Sequence, residues 1–248
     1  MAIQYEQAPI TEALIDIRVE NPPSVTLSVL EGLHAQVAND YPGKQKRMFL
    51  VGEISAGDAV GATASQTQTG FAFASGDSKQ IFQARTDGFT FSRLRPYVNW
   101  IQLRDEAERL WMIYRQSTRP LKVSRIAVRF INQIDIPSAR VDYKDYFRTT
   151  PEVSSALPQG LSGFFMELHF PQPEFSGMLV LRQAAVAPVA PDTTSVILDL
   201  DVFKEISGTI DETEIWTLLE ELRALKNQYF EGSLTEEAKK LFGKRKEY

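Results

Sequence analysis

Apolar and polar side chains alternate with two different periods along the chain, and these periods separate strands from helices. Residues 13–20 alternate with a period of two, which is typical of a half-buried strand. Apolar side chains from Val25 to Val37 recur at helical spacing, and Pro42-Gly43 ends that helix. The same periods predict strands over residues 48–54, 70–74, 80–85 and 89–94, and a helix over residues 99–114.

A second, similar succession of elements begins near residue 122. A long β run covers residues 122–136, and residues 141–148 have the pattern of a short helix. Three more strands and an amphipathic helix are predicted over residues 161–170, 177–183, 195–203 and 212–231. Residues 56–70 are rich in Gly, Ala, Ser, Thr and Gln, and we expect them to form a loop.

This order of elements predicts the fold class. Consecutive strands joined by short connections favour an antiparallel sheet, and the interspersed helices place the chain in the α+β class with helices on one side. Residues 1–120 form a β-α-β4-α half and residues 121–248 a β-α-β3-α half. We therefore predict a pseudo-duplicated helix-grip or TBP-like architecture whose two halves pack together as one compact unit.

Composition excludes several kinds of chemistry. The 248 residues include no cysteine and only two histidines, so disulfides, thiol nucleophiles and sites of several histidines are not available. No apolar run approaches the roughly 20 residues that a membrane span needs, and the first residues lack the pattern of a signal peptide. We expect a cytoplasmic protein that does not enter a membrane.

The net charge of −5 hides an uneven distribution. Residues 1–150 carry a net charge of +2 and residues 151–248 a net charge of −7. Residues 85–129 are the most basic stretch, with ten basic and four acidic side chains, and nine of the ten are arginines. The overall sign argues against binding of duplex nucleic acid. The basic stretch either pairs with the acidic half or faces an anionic partner.

Charged side chains lie on one face of several predicted strands, because residues two apart point the same way. One hypothesis is a concave surface or tunnel in which arginines grip a phosphate-rich ligand and carboxylates hold Mg²⁺. The arginines would be Arg18, Arg125, Arg129 and Arg182, and the carboxylates Glu167, Asp199 and Asp201. The alternative is an ordinary solvated sheet face with cross-strand ion pairs.

Two arginines and two aromatic residues stand close together before the helix predicted at residue 99. Arg93, Arg95, Tyr97 and Trp100 could stack on a base or grip a peptide of a binding partner. Alternatively, the segment is a helix-entry turn in which Tyr97 and Trp100 anchor the core. No glycine-rich phosphate loop, nucleophile elbow or dinucleotide fingerprint occurs, so we assign no catalytic residue.

Six stretches in order resemble a sporadically distributed family of uncharacterised bacterial and archaeal proteins of about 250 residues. They are Tyr5 with Ala8-Pro-Ile-Thr-Glu12-Ala; Asp87-Gly-Phe-x-Phe-Ser92 with Pro96-Tyr97 and Trp100; Glu106-Ala with Trp111 and Tyr114; Arg125-Ile-Ala-Val-Arg129-Phe-Ile-Asn132 with Ile136-Pro137; Asp199-x-Asp201-x-Phe203; and Leu222-Arg-x-x-Lys226-Asn-x-x-Phe230-Glu with Leu234-Thr235. The resemblance implies no settled activity. It implies an association with mobile or defence-linked genes, among which antitoxin and immunity components are common.

Two functions are therefore open. The first is a non-enzymatic protein that binds a protein partner in a defence-linked or toxin-neutralising module. This function requires no cofactor, and the protein could also form a homo-oligomer. The second is a Mg²⁺-dependent phosphohydrolase, or a protein that binds nucleotides or polyphosphate in a charged tunnel. A tunnel requires the charged side chains to converge in a cavity, whereas a docking protein leaves them paired or dispersed on an outer face.

Overall fold

The computed structural model describes residues 3–55 and 61–247. The strands are β1 (Ile3–Tyr5), β2 (Ile10–Glu20), β3 (Gly43–Ser55), β4 (Gly61–Ala74), β5 (Gln80–Arg85), β6 (Gly88–Leu94), β7 (Lys122–Ile136), β8 (Phe165–Gln172), β9 (Gly177–Val186), β10 (Thr194–Glu205) and β11 (Arg245–Glu247). The helices are α1 (Leu27–Gly32), α2 (His34–Val37), α3 (Trp100–Thr118), α4 (Glu212–Ser233) and α5 (Glu236–Lys240). No helix in the described ranges combines the length and hydropathy that a membrane span requires.

The α+β class and the antiparallel sheet are confirmed. Nine strands form one open sheet in the order β3-β4-β5-β6-β2-β7-β10-β9-β8, and β1 pairs with β11. The contacts divide the chain into two compact units. Unit 1 consists of Met1–Ile15, Leu94–Val98 and Arg125–Tyr248, and unit 2 of Asp16–Arg93 and Asn99–Ser124. The pseudo-duplicated architecture with halves at 1–120 and 121–248 stays a prediction.

The core of unit 2 is a chain of aromatic contacts between strands and α3. Phe73 on β4 lies opposite Phe82 on β5, with ring centroids 5.4 Å apart. Phe82 contacts Phe89 at 5.5 Å, and Phe89 contacts Trp111 of α3 at 5.8 Å. Phe71 and Phe73 of β4, and Phe89 and Phe91 of β6, are two residues apart, so each pair places its rings on one side of its strand, and all four are buried. The Asn99 side chain caps α3 by accepting from the Gln102 backbone N–H.

The core of unit 1 forms between β10 and α4. The apolar side of β10 carries Val196, Leu198, Leu200 and Val202, and all four residues are buried. The buried side of α4 carries Ile215, Leu218, Leu219, Leu222, Lys226 and Phe230. Leu225 and Tyr229 lie beside this buried side and are only half-buried. The position after Leu222 that faces the sheet is therefore taken by a lysine.

Two predicted elements are wrong, because local composition does not show which segments of the chain pair with each other. The loop expected over residues 56–70 is strand β4 from Gly61 onward, paired with β3 along its length; residues 56–60 lie outside the described residues. A neighbouring strand supplies backbone hydrogen bonds that composition does not reveal, so pairing overrides weak strand propensity. The helix expected over residues 141–148 is a single 3-10 turn at Tyr143–Asp145, after which Phe147 bridges to Leu234.

The start of α4 offers a test of this local structure. Asp211 accepts from the Glu214 backbone N–H, and the Glu214 side chain accepts from the Asp211 N–H, which is a complete capping box. We expect Asp211→Ala to lower the free energy of unfolding by about 1 kcal/mol and Asp211→Asn by a few tenths at most. Urea unfolding followed by circular dichroism measures both, and equal values for the two variants would contradict this role of the side chain.

Candidate functional site

Six of the seven residues predicted to grip a ligand or a metal share one face of the sheet in unit 1. Arg129 of β7 lies directly opposite Asp201 of β10. On the other side of β10, Asp199 lies opposite Arg182 of β9, which in turn lies opposite Glu167 of β8. Residues that face each other across antiparallel strands point to the same side. We call this set, completed by Arg125, the charged face: Arg125, Arg129, Glu167, Arg182, Asp199 and Asp201.

A bidentate ion pair lies at the centre of the charged face. Arg129 donates from Nε to Asp199 Oδ1 at 2.8 Å and from Nη2 to Asp199 Oδ2 at 2.6 Å. The Asp199 side chain is buried, whereas about a third of the Arg129 side chain is exposed. This hydrogen bonding raises the pKa of Arg129 above its ordinary value and outweighs the opposing effect of burial. The guanidinium is therefore held in one orientation with its outer edge toward solvent.

Arg125 and Asp201 form a second ion pair on the charged face. Arg125 Nη2 lies 3.1 Å from Asp201 Oδ2 and 3.3 Å from Oδ1. The guanidinium carbon of Arg125 also lies 4.0 Å from the centroid of the Phe203 ring. The Phe203 ring and the Asp201 carboxylate restrain Arg125 together, because the guanidinium lies over the ring while the carboxylate accepts from its N–H groups.

Glu167 connects the charged face to the edge of the sheet. Its carboxylate accepts from Arg182 Nε at 2.5 Å and lies 2.6 Å from His169 Nε2. Hydrogen bonding with His169 and then with Arg182 lowers the pKa of the Glu167 carboxyl. Arg182 Nη1 lies 3.6 Å from Asp199 Oδ2. The row Glu167, Arg182, Asp199 and Arg129 thus alternates in charge across four strands.

The charged face does not bring its carboxylates together as metal ligands. Within the described ranges, no group of three His, Asp or Glu side chains is arranged to hold a metal ion. Each of Glu167, Asp199 and Asp201 is instead bound by an arginine. A phosphate ligand would likewise have to displace these carboxylates from the guanidinium groups that it needs.

The seventh predicted residue, Arg18, belongs to a different cluster, in unit 2. Arg18 is paired with Asp16 and Asp87. Beside it, Arg85 donates from Nη1 to Asp16 Oδ2 at 2.8 Å and from Nε to Asp87 Oδ1 at 3.0 Å. Thr90 donates to the same Asp16 oxygen at 2.8 Å. Asp16 and Arg85 are both buried, which the alternation of side chains along a strand cannot show.

The segment with the candidate partner-binding residues places its aromatics in packing contacts. Trp100 is 4% exposed, as the first residue of α3. The Tyr97 ring meets the edge of Phe130, with centroids 5.6 Å apart. Arg93 is half-buried and Arg95 exposed. Arg95 and Tyr97 belong to unit 1, whereas Arg93 and Trp100 belong to unit 2.

A buried lysine in unit 1 was missed by sequence reasoning. Lys226 of α4 is 7% exposed, and its Nζ lies 3.7 Å from the centroid of the Phe130 ring. Burial, with a smaller contribution from the nearby charge of Arg223, lowers the pKa of Lys226 to about 7. The one available signal is its spacing of four residues from Leu222 and Phe230, which continues the buried stripe of α4.

Comparisons of the chain with protein-family models, with curated proteins and with solved structures give no match. The resemblance to a sporadically distributed prokaryotic family therefore stays a prediction. The fold places the chain among α+β proteins with an open antiparallel sheet. Because a fold of this class does not imply a function, the charged face and the surfaces around it carry the functional information.

Proposed function

We propose that the chain is a non-enzymatic partner-binding protein and that a protein partner covers the charged face of unit 1. The observation that carries this proposal is the pairing of the face. All three of its guanidinium groups and all three of its carboxylates are bound to one another across neighbouring strands. Most of these side chains are also partly exposed, so they can accept or donate further hydrogen bonds to a protein that covers them.

The state of these groups favours recognition over catalysis. A general acid or base works best with a pKa near the operating pH, but the pKa of Glu167 is lowered from its ordinary value. Asp199 and Asp201 are bound by Arg129 and Arg125, and among the described residues neither belongs to a group of three His, Asp or Glu side chains that could hold Mg²⁺. Side chains that are already fixed by their neighbours lose little entropy when a partner binds, which favours docking.

The charges of the face also indicate the chemistry of the partner. Three arginines and three carboxylates cancel, so the face has no net attraction for a polyanion. A protein surface that carries both signs can instead match the alternating row, because each charge meets its opposite. The resemblance to the sporadic prokaryotic family supports a place in a defence-linked or toxin-neutralising module, by association alone.

An exchange of charges tests this proposal without removing an ion pair. The double variant R129D/D199R keeps one arginine, one carboxylate and the net charge, but it reverses the pattern that a partner meets. The matched control is the exchange E31K/K44E, made at an exposed ion pair of 2.9 Å in unit 2. Tagged proteins are used to capture partners from an extract of the source cell, with quantitative mass spectrometry. We expect a protein that wild type and control retain and that R129D/D199R loses at least tenfold.

Two results would contradict the proposal, provided that R129D/D199R unfolds at the same temperature as wild type. The first is a partner retained equally by all three proteins, which places its docking surface elsewhere. The second is Mg²⁺-dependent hydrolysis of a nucleoside triphosphate by purified wild type that both Arg129→Ala and Asp201→Ala abolish. That second result would establish the phosphohydrolase hypothesis instead.

A further inference from the structure

Strand β8 is an open edge of the nine-stranded sheet. It pairs with β9 on one side, and in the described part of the chain no strand lies on its other side. Edge strands offer unpaired backbone groups to any other strand, and proteins normally protect them. Here the edge has two exposed aromatic side chains on opposite faces, Phe165 at 69% and Phe170 at 39% exposure. A second strand added to this edge would cover both.

The residues of β8 are complementary to the same strand running in the opposite direction. A two-fold axis through Leu168, perpendicular to the sheet, pairs residues whose numbers are equally far from 168. Glu167 then lies opposite His169 of the second copy, and this pair occurs twice. On the other face, Met166 lies opposite Phe170 of the second copy. An imidazole opposite a carboxylate can hydrogen-bond to it, and a methionine opposite an aromatic ring packs against it, so both pairs favour this antiparallel arrangement.

Neighbouring registers lack this complementarity. An axis through residue 167 places two Glu167 carboxylates opposite each other, and like charges directly opposite are destabilising. An axis through residue 169 places Glu167 opposite Pro171, which offers the carboxylate no hydrogen-bond donor. A register shifted by one residue would pair residues whose side chains point to opposite sides of the sheet. The charged side of one copy would then continue into the apolar side of the other. The register centred on Leu168 is therefore specified by the strand itself.

We propose that two copies of this chain form a dimer by antiparallel pairing of their β8 strands around Leu168. Such a contact is isologous, since each copy offers the same strand to the other. It closes the open edge on both copies, so no edge on this side remains for further addition. This inference goes beyond the proposed function, because it concerns the sheet edge and a second copy of the chain.

Directed cross-linking tests the register, and the absence of cysteine from the chain makes this test clean. Residues directly opposite in an antiparallel pair have Cα atoms about 4.5–5.5 Å apart, which a disulfide can span. We expect Leu168→Cys to form a disulfide-linked dimer under mild oxidation. Phe165→Cys is the control on the same strand, because its two copies would lie about 20 Å apart at about 3.4 Å per residue. Absence of a linked dimer in Leu168→Cys, or equal linking in both variants, would overturn the proposal.

The oligomeric state tests the charge pairing independently of any engineered cysteine. Sedimentation equilibrium of wild type is expected to show a dimer at micromolar concentrations. His169→Glu places like charges opposite each other twice and should weaken the dimer about tenfold, whereas His169→Lys, which places a cation opposite Glu167 and leaves the Glu167–Arg182 pair in place, should not weaken it. Gln228→Glu, which adds the same charge on the exposed side of α4, should leave the dimer unchanged. A monomeric wild type at 100 µM, or a dimer that His169→Glu does not weaken, would overturn the proposal.

Discussion

Asp16→Ala lowers the free energy of unfolding by about 3 to 5 kcal/mol, the largest loss that we expect from a single substitution in this protein. The Asp16 and Arg85 side chains are 8% and 4% exposed, and their contact of 2.8 Å is part of a network with Thr90. Removing the carboxylate leaves the buried Arg85 guanidinium with only the exposed Asp87 as a counter-charge, and the cost of this under-compensated buried charge dominates the effect. Urea unfolding of wild type and variant at neutral pH measures the difference.

Two further variants separate the ion pair from the packing around it. Asp16→Asn keeps the shape of the side chain and a hydrogen bond to Thr90, so it should cost less than Asp16→Ala. The double variant D16L/R85M removes both charges together and should be less destabilised than Asp16→Ala alone, because no buried charge remains unpaired. If Asp16→Ala changes the free energy of unfolding by less than 1 kcal/mol, the buried pair does not have the role assigned to it.

Lys226→Met is expected to have the opposite effect and to raise the free energy of unfolding by about 2 to 4 kcal/mol at pH 7. The pKa of Lys226 is lowered from 10.5 to about 7 in the folded state, chiefly by burial. Between these values the unfolded chain binds a proton that the folded chain does not, so the free energy of unfolding of wild type rises with pH from 7 toward 10. A methionine removes this cost, although it also loses the contact of the amine with Phe130.

The pH dependence distinguishes this effect from simple repacking. The stabilisation by Lys226→Met should shrink as pH rises from 7 to 9.5, because keeping the folded-state amine neutral costs less as the pH approaches the unfolded-state pKa of 10.5. Burial raises the pKa of nearby Tyr97, so that phenol stays neutral in the folded state over this range. Gln228→Met, on the exposed side of the same helix, should change the free energy of unfolding by less than 0.5 kcal/mol. A destabilising Lys226→Met at pH 7 would show that the amine makes a net favourable contribution.

The charged face shows how far the strand period could predict the site. A period of two requires Asp199 and Asp201 to share one side of β10, with Val196, Leu198, Leu200 and Val202 on the other, and the burial of these four residues confirms that phase. The period says nothing about which strands become neighbours. The pairing of Arg129 with Asp199 depends on the adjacency of β7 and β10, which are separated by about 60 residues of chain. Arg18 shows the same limit of the strand period. Its strand alternates in the same way, but Arg18 pairs with Asp16 and Asp87 in a different cluster, in unit 2.

Local patterns by themselves determined the α+β class, most of the elements and the apolar side of strands such as β10, because side-chain period depends on neighbours only a few residues away. Tertiary structure alone decided that residues 61–69 belong to a strand, that Asp16 and Arg85 form a buried pair, and that Lys226 takes a core position on α4. It also decided which arginine each carboxylate of the charged face meets. These outcomes depend on strand order and on what covers each face, and they are set by contacts between residues far apart in the chain.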